Sequence, residues 1–319
     1  MKLSKIKILI LGVSGLLLIP SHVLAEPKSL PYSPAYVAFG DSITTGSSVA
    51  TCQEHRKQSP WGCAELPTAT PYPDRVARAL HMSYGDVANN YAQQTFEMYR
   101  AGIWGYTIKE AAEAEKDGHN AVGDWVPQLT AIKQATKLVT GSLGINDMHF
   151  SDVARWAKLY IKPGDHVSRE AKKLVAARSQ DFDKLFDTLK VARSNGATVV
   201  LGLYYNPYQS DDPLCNPLSS IGDSVVNTLD EELLNRAHAN GIDVADFRRS
   251  FTGHGAGSDD PYVFGTTCNL GVGAANWIQN LAIGKNAKRA VAIKFDPHPN
   301  SSGTNAMANA ILQEVNNAD

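Results

Sequence analysis

This 319-residue chain lacks the features that mark a nucleic-acid binder or a membrane-spanning protein. Lysine and arginine number 30 against 32 aspartates and glutamates, a net charge of −2. The two signs are interspersed, so no basic surface is expected for nucleic acid or an anionic membrane. There is no internal repeat and no low-complexity linker. The one long apolar run, Ile8 to Ile19, is too short to cross a bilayer. Cysteine is sparse, with four residues and none near the end of that run, which argues against a lipid anchor. No two cysteines have C-x-x-C spacing and the nine histidines are scattered, so no metal site is expected.

The amino terminus has the layout of a secretory signal peptide. Lys2, Lys5 and Lys7 precede the apolar run, and Ser21-His22-Val23-Leu24-Ala25 follows it, with cleavage expected after Ala25. Lys5 to Gly12 also resembles the first strand of a nucleotide-binding fold. However, only Gly12 and Gly15 follow, and no acidic partner stands at the right distance. A secreted or periplasmic protein of 319 − 25 = 294 residues is expected, residues 26–319 forming one domain. In an oxidising compartment the cysteines can pair in three ways. Cys52–Cys63 and Cys215–Cys268 are favoured because each staples one long loop, the shorter staple contributing about 3 kcal/mol.

Apolar runs and helical periods alternate along the mature chain. Tyr36 to Phe39, Val87 to Ala92, Leu138 to Leu143, Ala197 to Tyr204 and Ile242 to Ala245 are the strand candidates. Helices are predicted over Pro73 to His81, Trp125 to Gln134, Ser168 to Ser194, Ile221 to Asn240 and Asn305 to Val315. The strands are apolar on both faces. That pattern implies an α/β fold, a three-layer α/β/α sandwich around a central parallel sheet. The insertions Ser47 to Thr70, Met148 to His166, Asn206 to Ser219 and Arg248 to Ala292 all follow strands, so they should gather over one sheet edge.

Three motifs fall on loops at that edge: Gly40-Asp41-Ser42-Ile43-Thr44, Gly144-Ile145-Asn146-Asp147 and Asp296-Pro297-His298-Pro299. A serine after a buried strand becomes a nucleophile when a histidine takes its proton. An asparagine amide donates to an oxyanion without carrying charge or titrating. A carboxylate beside the histidine sets its tautomer.

On these three motifs, in this order, the chain resembles the SGNH, or GDSL, hydrolase family of serine esterases and lipases. The resemblance runs from Ala35 to the final helix. Val139-Thr140 ahead of the second motif, Phe150 after it, and Phe251-Thr252-Gly253-His254 look like the secreted bacterial lipolytic branch. The resemblance implies a flavodoxin-like sheet, ester hydrolysis through an acyl-enzyme and no cofactor. It implies Ser42 as nucleophile and His298 as base, with Asp296 as its partner. The oxyanion hole would be the Ser42 N–H, a glycine N–H and Asn146. Gly102 is the chosen glycine, with Gly105 as rival. Asp296 stands two residues before His298, where the family most often has three, so a backbone carbonyl is the alternative partner.

Asp41 and Asp147 read as carboxylates that hold their loops, and His149 as cleft lining. Trp104 is a candidate for the acyl pocket. His254 and His55 are rival bases. The glycines around His254 read as a loop rather than a phosphate site, because no strand leads into them. The expected substrate is an acyl ester, of a lipid or of an acylated glycan. The alternatives are a carbohydrate acetylesterase, a binding module on the same scaffold and, weakest, a nucleotide-binding protein. Oligomeric state is left open.

Overall fold

The apolar run after Ala35 forms strand β1, Tyr36–Gly40, with every residue buried. It pairs in parallel with β2, Met98–Arg100, on one side and with β3, Leu138–Ser142, on the other. Strand β3 pairs with β4, Thr198–Gly202, and β4 with β5, Asp243–Ala245, again in parallel. The order β2-β1-β3-β4-β5 is the doubly wound order in which ligands settle at the carboxyl edge, where the chain reverses direction across the sheet. Here the reversal falls between β1 and β3. Their register is level: Tyr36 lies opposite Leu138 and Gly40 opposite Ser142. The loops that leave these two strands therefore start side by side.

This computed structural model describes residues 29–46, 70–84, 96–117, 126–209, 216–256, 258–264 and 296–318. The expected signal peptide, the four cysteines with their expected pairings, His55 and the strand expected over Val87 to Ala92 lie outside them. Among the described residues, the strand beside β1 is Met98–Arg100, which is too short and too polar to stand out in the sequence.

Helices cover both faces of the sheet. A one-turn helix α1, Ser42–Thr45, follows β1 directly. Helix α2, Tyr72–Ala79, starts with Pro73 in its first turn, where a missing N–H costs nothing. Beyond β2 come α3, Ile108–Asp117, and α4, Gln128–Lys133. After β3 follow α5, Val153–Tyr160, α6, His166–Ala176, and α7, Ser179–Ser194. Helix α8, Asn216–Ala239, links β4 to β5, and α9, Phe247–Phe251, and α10, Ser301–Ala318, complete the described chain. On one face α2 packs on α10, which also touches β4 and β5. On the other, α3 and α4 pack on α7, which touches β4. Among the described residues no helix is long and apolar enough to cross a membrane.

Helices α3 and α9 have no counterpart among the helices expected from the sequence, and two further features differ. The helix predicted over Ser168 to Ser194 is two helices, broken at Ala177-Arg178. The apolar period continues across the break, so it is invisible in the pattern. The break lets the Arg178 side chain reach Asp147, Nε to Oδ1 3.1 Å. The stretch Met148 to His166 is not all loop either. Asp152 caps α5 by accepting from the Arg155 N–H at 3.0 Å, and Trp156 is buried beneath it.

One buried ion pair ties α2 to the sheet. Arg100 of β2 grips Asp74 with two parallel bonds, Nε to Oδ1 at 2.7 Å and Nη2 to Oδ2 at 2.6 Å. Burial pushes the Asp74 carboxyl up, and Arg100 pulls against that rise. Removing one partner of such a pair leaves a buried group without its main donor. Arg100→Ala should lower the unfolding free energy by about 3–5 kcal/mol in urea titration. The double variant Asp74→Leu/Arg100→Met should recover most of that loss.

Candidate active site

The Ser42 loop begins where β1 must stop. Gly40 has φ +132, and a Cβ there would lie 2.4 Å from Thr44 Oγ1 and 2.5 Å from the Ser142 carbonyl oxygen. Only glycine permits that bend and that approach. The Gly40 backbone is then held by the side-chain amide of Gln128, fully buried at the start of α4. The Gly40 N–H donates to Oε1 at 3.0 Å, and Nε2 donates to the Gly40 carbonyl at 2.8 Å. Asp41 caps α1: its Oδ1 accepts from the Ile43 N–H at 3.0 Å. Its Oδ2 accepts from the Tyr204 hydroxyl at 2.7 Å. Asp41 thus holds its loop, as expected from the sequence, and Ser42 follows it onto the first turn of α1.

Ser42 and His298, 256 residues apart, meet across the cleft. The His298 Nε2 lies 2.9 Å from Ser42 Oγ. On the other side of the ring, Nδ1 lies 2.6 Å from Asp296 Oδ1, which also accepts from the His298 N–H at 3.2 Å. A carboxylate at Nδ1 requires a proton there, which leaves the Nε2 lone pair facing the hydroxyl. The one-residue spacer is short enough for Asp296 to turn back on its own histidine. Trp104 lies over the imidazole, with ring centroids 4.5 Å apart at 31°.

The histidine loop is tied down by its neighbours. The Phe264 N–H donates to the His298 carbonyl at 3.0 Å, and Val263 bridges Pro299. The Tyr205 hydroxyl donates to the Pro297 carbonyl at 2.7 Å.

Asn146 enters the same cleft from the loop after β3. Its Nδ2 donates to the Tyr106 carbonyl at 3.0 Å, which fixes the plane of the amide and leaves its second N–H. Asp147 fastens this loop by accepting from the Ile108 N–H at 2.7 Å and from Arg178. Ser42, Asn146 and His298 line one cleft of about 570 Å³ together with Ile43, Trp104, Gly105, Ile145, Phe150, Tyr205 and Pro207.

Of the two candidate glycines, Gly105 is in the cleft wall and Gly102 is not. Gly102 backs onto Thr44, whose Cγ2 would lie 3.0 Å from an added Cβ, whereas an added Cβ at Gly105 meets nothing within 4 Å. His149 lines the cleft, with its backbone at φ +50 and its carbonyl accepting from Trp156 Nε1 at 3.1 Å. His254 is not in that wall: it stacks on Tyr262 at 3.8 Å, and its Nδ1 sits 2.8 Å from the Asp260 carbonyl. Among the described residues no three His, Cys, Asp or Glu side chains gather as a metal site would need.

Nothing in the sequence assigns Gln128, Tyr204 or Tyr205 a role at this site beyond their places in a helix and at the end of a strand. Two tyrosines ending an apolar strand are a weak signal of polar work at the sheet edge. Nothing local says which loop each would reach, and Gln128 offers no signal at all.

Burial raises the Asp41 carboxyl from 3.8 to about 6, against the pull of Tyr204, the Ile43 N–H and His298, with Asp147 adding to the rise. The folded chain therefore holds this proton more tightly than the unfolded chain does. Stability contributed by Asp41 falls as pH climbs from about 4 to about 6, and above that window the buried charge costs ~3 kcal/mol. Asp41→Asn carries no such charge. Its stability relative to the parent should improve by up to ~3 kcal/mol between about pH 4 and about pH 7 in urea titrations. A difference that ignores pH would mean Asp41 titrates normally.

The sequence matches the GDSL-like lipase/acylhydrolase family over residues 38–306. Among curated proteins none matches. In three dimensions the chain is similar to the extracellular lipase of Streptomyces rimosus, at 18% identity and a TM-score of 0.50. It is similar also to phospholipase A1 of Streptomyces albidoflavus NA297, at 16% identity and a TM-score of 0.52. Each likeness covers 88% of this chain and 99% of the other. At such identities it concerns the fold alone. The family match spans the Ser42, Asn146 and His298 loops, the three that meet in the cleft, and the chain belongs to the GDSL-like lipase/acylhydrolase family.

Proposed function

We propose that the chain is an exported serine esterase acting through an acyl-enzyme. Ser42 Oγ attacks the ester carbonyl carbon while its proton passes to His298 Nε2. Asp296 holds the imidazole and stabilises the positive charge that develops on it. The tetrahedral oxyanion is met by the Ser42 N–H, the Asn146 amide and a glycine N–H. Gly105 takes that last place in preference to Gly102, because it stands in the cleft wall. Collapse of the intermediate expels the alcohol, which takes the proton from Nε2. Water then attacks the acyl-serine, gives its proton to His298, and the acid leaves with Ser42 regenerated.

The observation that carries the reading is the unbroken chain of hydrogen bonds from Ser42 Oγ through His298 to Asp296, at 2.9 and 2.6 Å. Membership of a lipase and acylhydrolase family supports it. For the substrate we favour short- to medium-chain acyl esters. The cleft wall is largely apolar, from Ile43, Trp104, Ile145, Phe150 and Pro207, and suits a hydrocarbon chain. Export to the periplasm or the medium rests on the amino-terminal layout, and mass determination of the mature amino terminus tests it.

Ser42→Ala and His298→Ala should each lower kcat on p-nitrophenyl butyrate by about 10⁴-fold or more. Ser42 of the parent should be labelled quickly by a fluorophosphonate, as a non-catalytic binding module would not be. Full esterase activity in Ser42→Ala would refute the proposal. Asn146→Ala should cost about 10²–10³ in kcat with KM little changed. Rates on p-nitrophenyl esters of rising chain length, set beside acetate release from acetylated xylan, separate an acyl esterase from a glycan acetylesterase. The first should rise from acetate to butyrate or beyond.

A further inference from the structure

We infer that Tyr204 and Tyr205 form a two-armed brace that sets the separation of the Ser42 and His298 loops, each tyrosine being a positioning residue for the proposed reaction. The inference rests on the reading of Ser42 and His298 as nucleophile and base. The two tyrosines follow β4 at the carboxyl edge of the sheet. Their hydroxyls go to different loops. Tyr204 donates to Asp41 Oδ2 at 2.7 Å, and Asp41 is bonded to Ser42 in the chain. Tyr205 donates to the Pro297 carbonyl at 2.7 Å, and Pro297 is bonded to His298. One dipeptide thus grips both halves of the 2.9 Å contact, each one residue away from the reacting atom.

The base of the brace is anchored. The Leu203 N–H donates to the Ala245 carbonyl at 3.0 Å, extending the sheet ladder. The Tyr204 N–H donates to Asp230 Oδ1 at 2.9 Å, and Asp230 is fully buried on α8 with Arg248 Nε 3.3 Å from its other oxygen. Behind the second arm, Phe251 stacks on the Tyr205 ring at 3.9 Å and 13°. Both tyrosines are buried, and burial holds their phenols well above the ordinary range, so they stay protonated donors. Deleting a hydroxyl leaves buried Asp41 or half-buried Pro297 without that donor and frees one loop to shift. Misplacement of a reacting group by about 1 Å can cost about 10²-fold in rate.

The test compares Tyr204→Phe, Tyr205→Phe and the double variant with the parent and with Ser42→Ala. It measures kcat and KM on p-nitrophenyl butyrate, the fluorophosphonate labelling rate of Ser42, and the urea midpoint. Each single variant should lose about 10- to 100-fold in kcat and in labelling rate, with KM within about twofold. The second substitution should cost less than the first, since one displaced loop already spoils the contact. Replacing either tyrosine by p-aminophenylalanine, which keeps a donor in place, should restore much of the loss. A purely structural role would move the urea midpoint and leave kcat of the folded protein unchanged. If a Phe variant does not fold, Asp41→Asn replaces it for the first arm and Phe251→Leu for the second, with the same loss of kcat at little changed KM expected, the urea midpoint of Asp41→Asn shifting with pH through the lost Asp41 titration. Single variants that keep kcat within about twofold of the parent while Ser42→Ala is inactive overturn the brace and leave the esterase reading standing. An active Ser42→Ala overturns both.

Discussion

The level parallel register of β1 and β3 is the constraint on which the cleft depends. Gly40 lies opposite Ser142, so the loop to Ser42 and the loop to Asn146 leave the sheet at the same height. A slip of one residue would displace one loop along the strand by about 3.3 Å. That exceeds the tolerance of a hydrogen-bonded proton transfer. The same slip would turn every buried side chain of β1 to the opposite face, and both faces are covered by helices. Packing of Tyr36, Val37, Ala38 and Phe39 thus sets the register, and the register sets where the Ser42 and Asn146 loops leave the sheet. The Tyr36 hydroxyl, 2.7 Å from Thr140 Oγ1, adds a polar check on that pairing in an otherwise apolar layer.

Gathering loops over a sheet edge buries polar groups, and this chain buries carboxylates there. Asp41, Asp147 and Asp230 all lie near the carboxyl ends of the strands, and burial raises each of them. Each is met by at least one backbone N–H: Ile43 for Asp41, Ile108 for Asp147 and Tyr204 for Asp230. Buried charges of this kind contribute little net stability. What they supply is direction, because a short acceptor with two oxygens can hold two segments at a defined angle. Asp41 holds its own turn and Tyr204; Asp147 holds α3 and Arg178.

The histidine side of the cleft is built differently, from rings and backbone. Tyr205 stacks on Phe251, Phe251 meets Tyr262 edge-on at 5.6 Å, and Tyr262 stacks on His254. The strand-like pairing of residues 261–264 with Pro299 and Asn300 presses this series against the histidine loop. Trp104 covers the imidazole from the opposite element. Apolar rings around a hydrogen-bonded imidazole lower the local dielectric and strengthen the bonds it makes.

Much of this was legible in the chain itself. Gly40-Asp41-Ser42 after an apolar run marks a strand ending in a tight turn, because the hydrophobic period, the glycine and the capping aspartate are all local. The same holds for β3, β4, β5, α2, α8 and α10, whose patterns are strong over a few turns or residues. Weak local signals misled or said nothing: β2 has three residues, α5 is capped inside what reads as an insertion, and the 168–194 period hides the break at Arg178. Only tertiary structure decided that Asp296 reaches its own histidine, that Gly105 rather than Gly102 faces the cleft, and that Gln128, Tyr204 and Tyr205 hold the loops. The physical reason is range. A strand, a cap or a turn is settled by neighbours within a few residues, while a 2.9 Å contact between positions 42 and 298 is settled by the packing of everything between them.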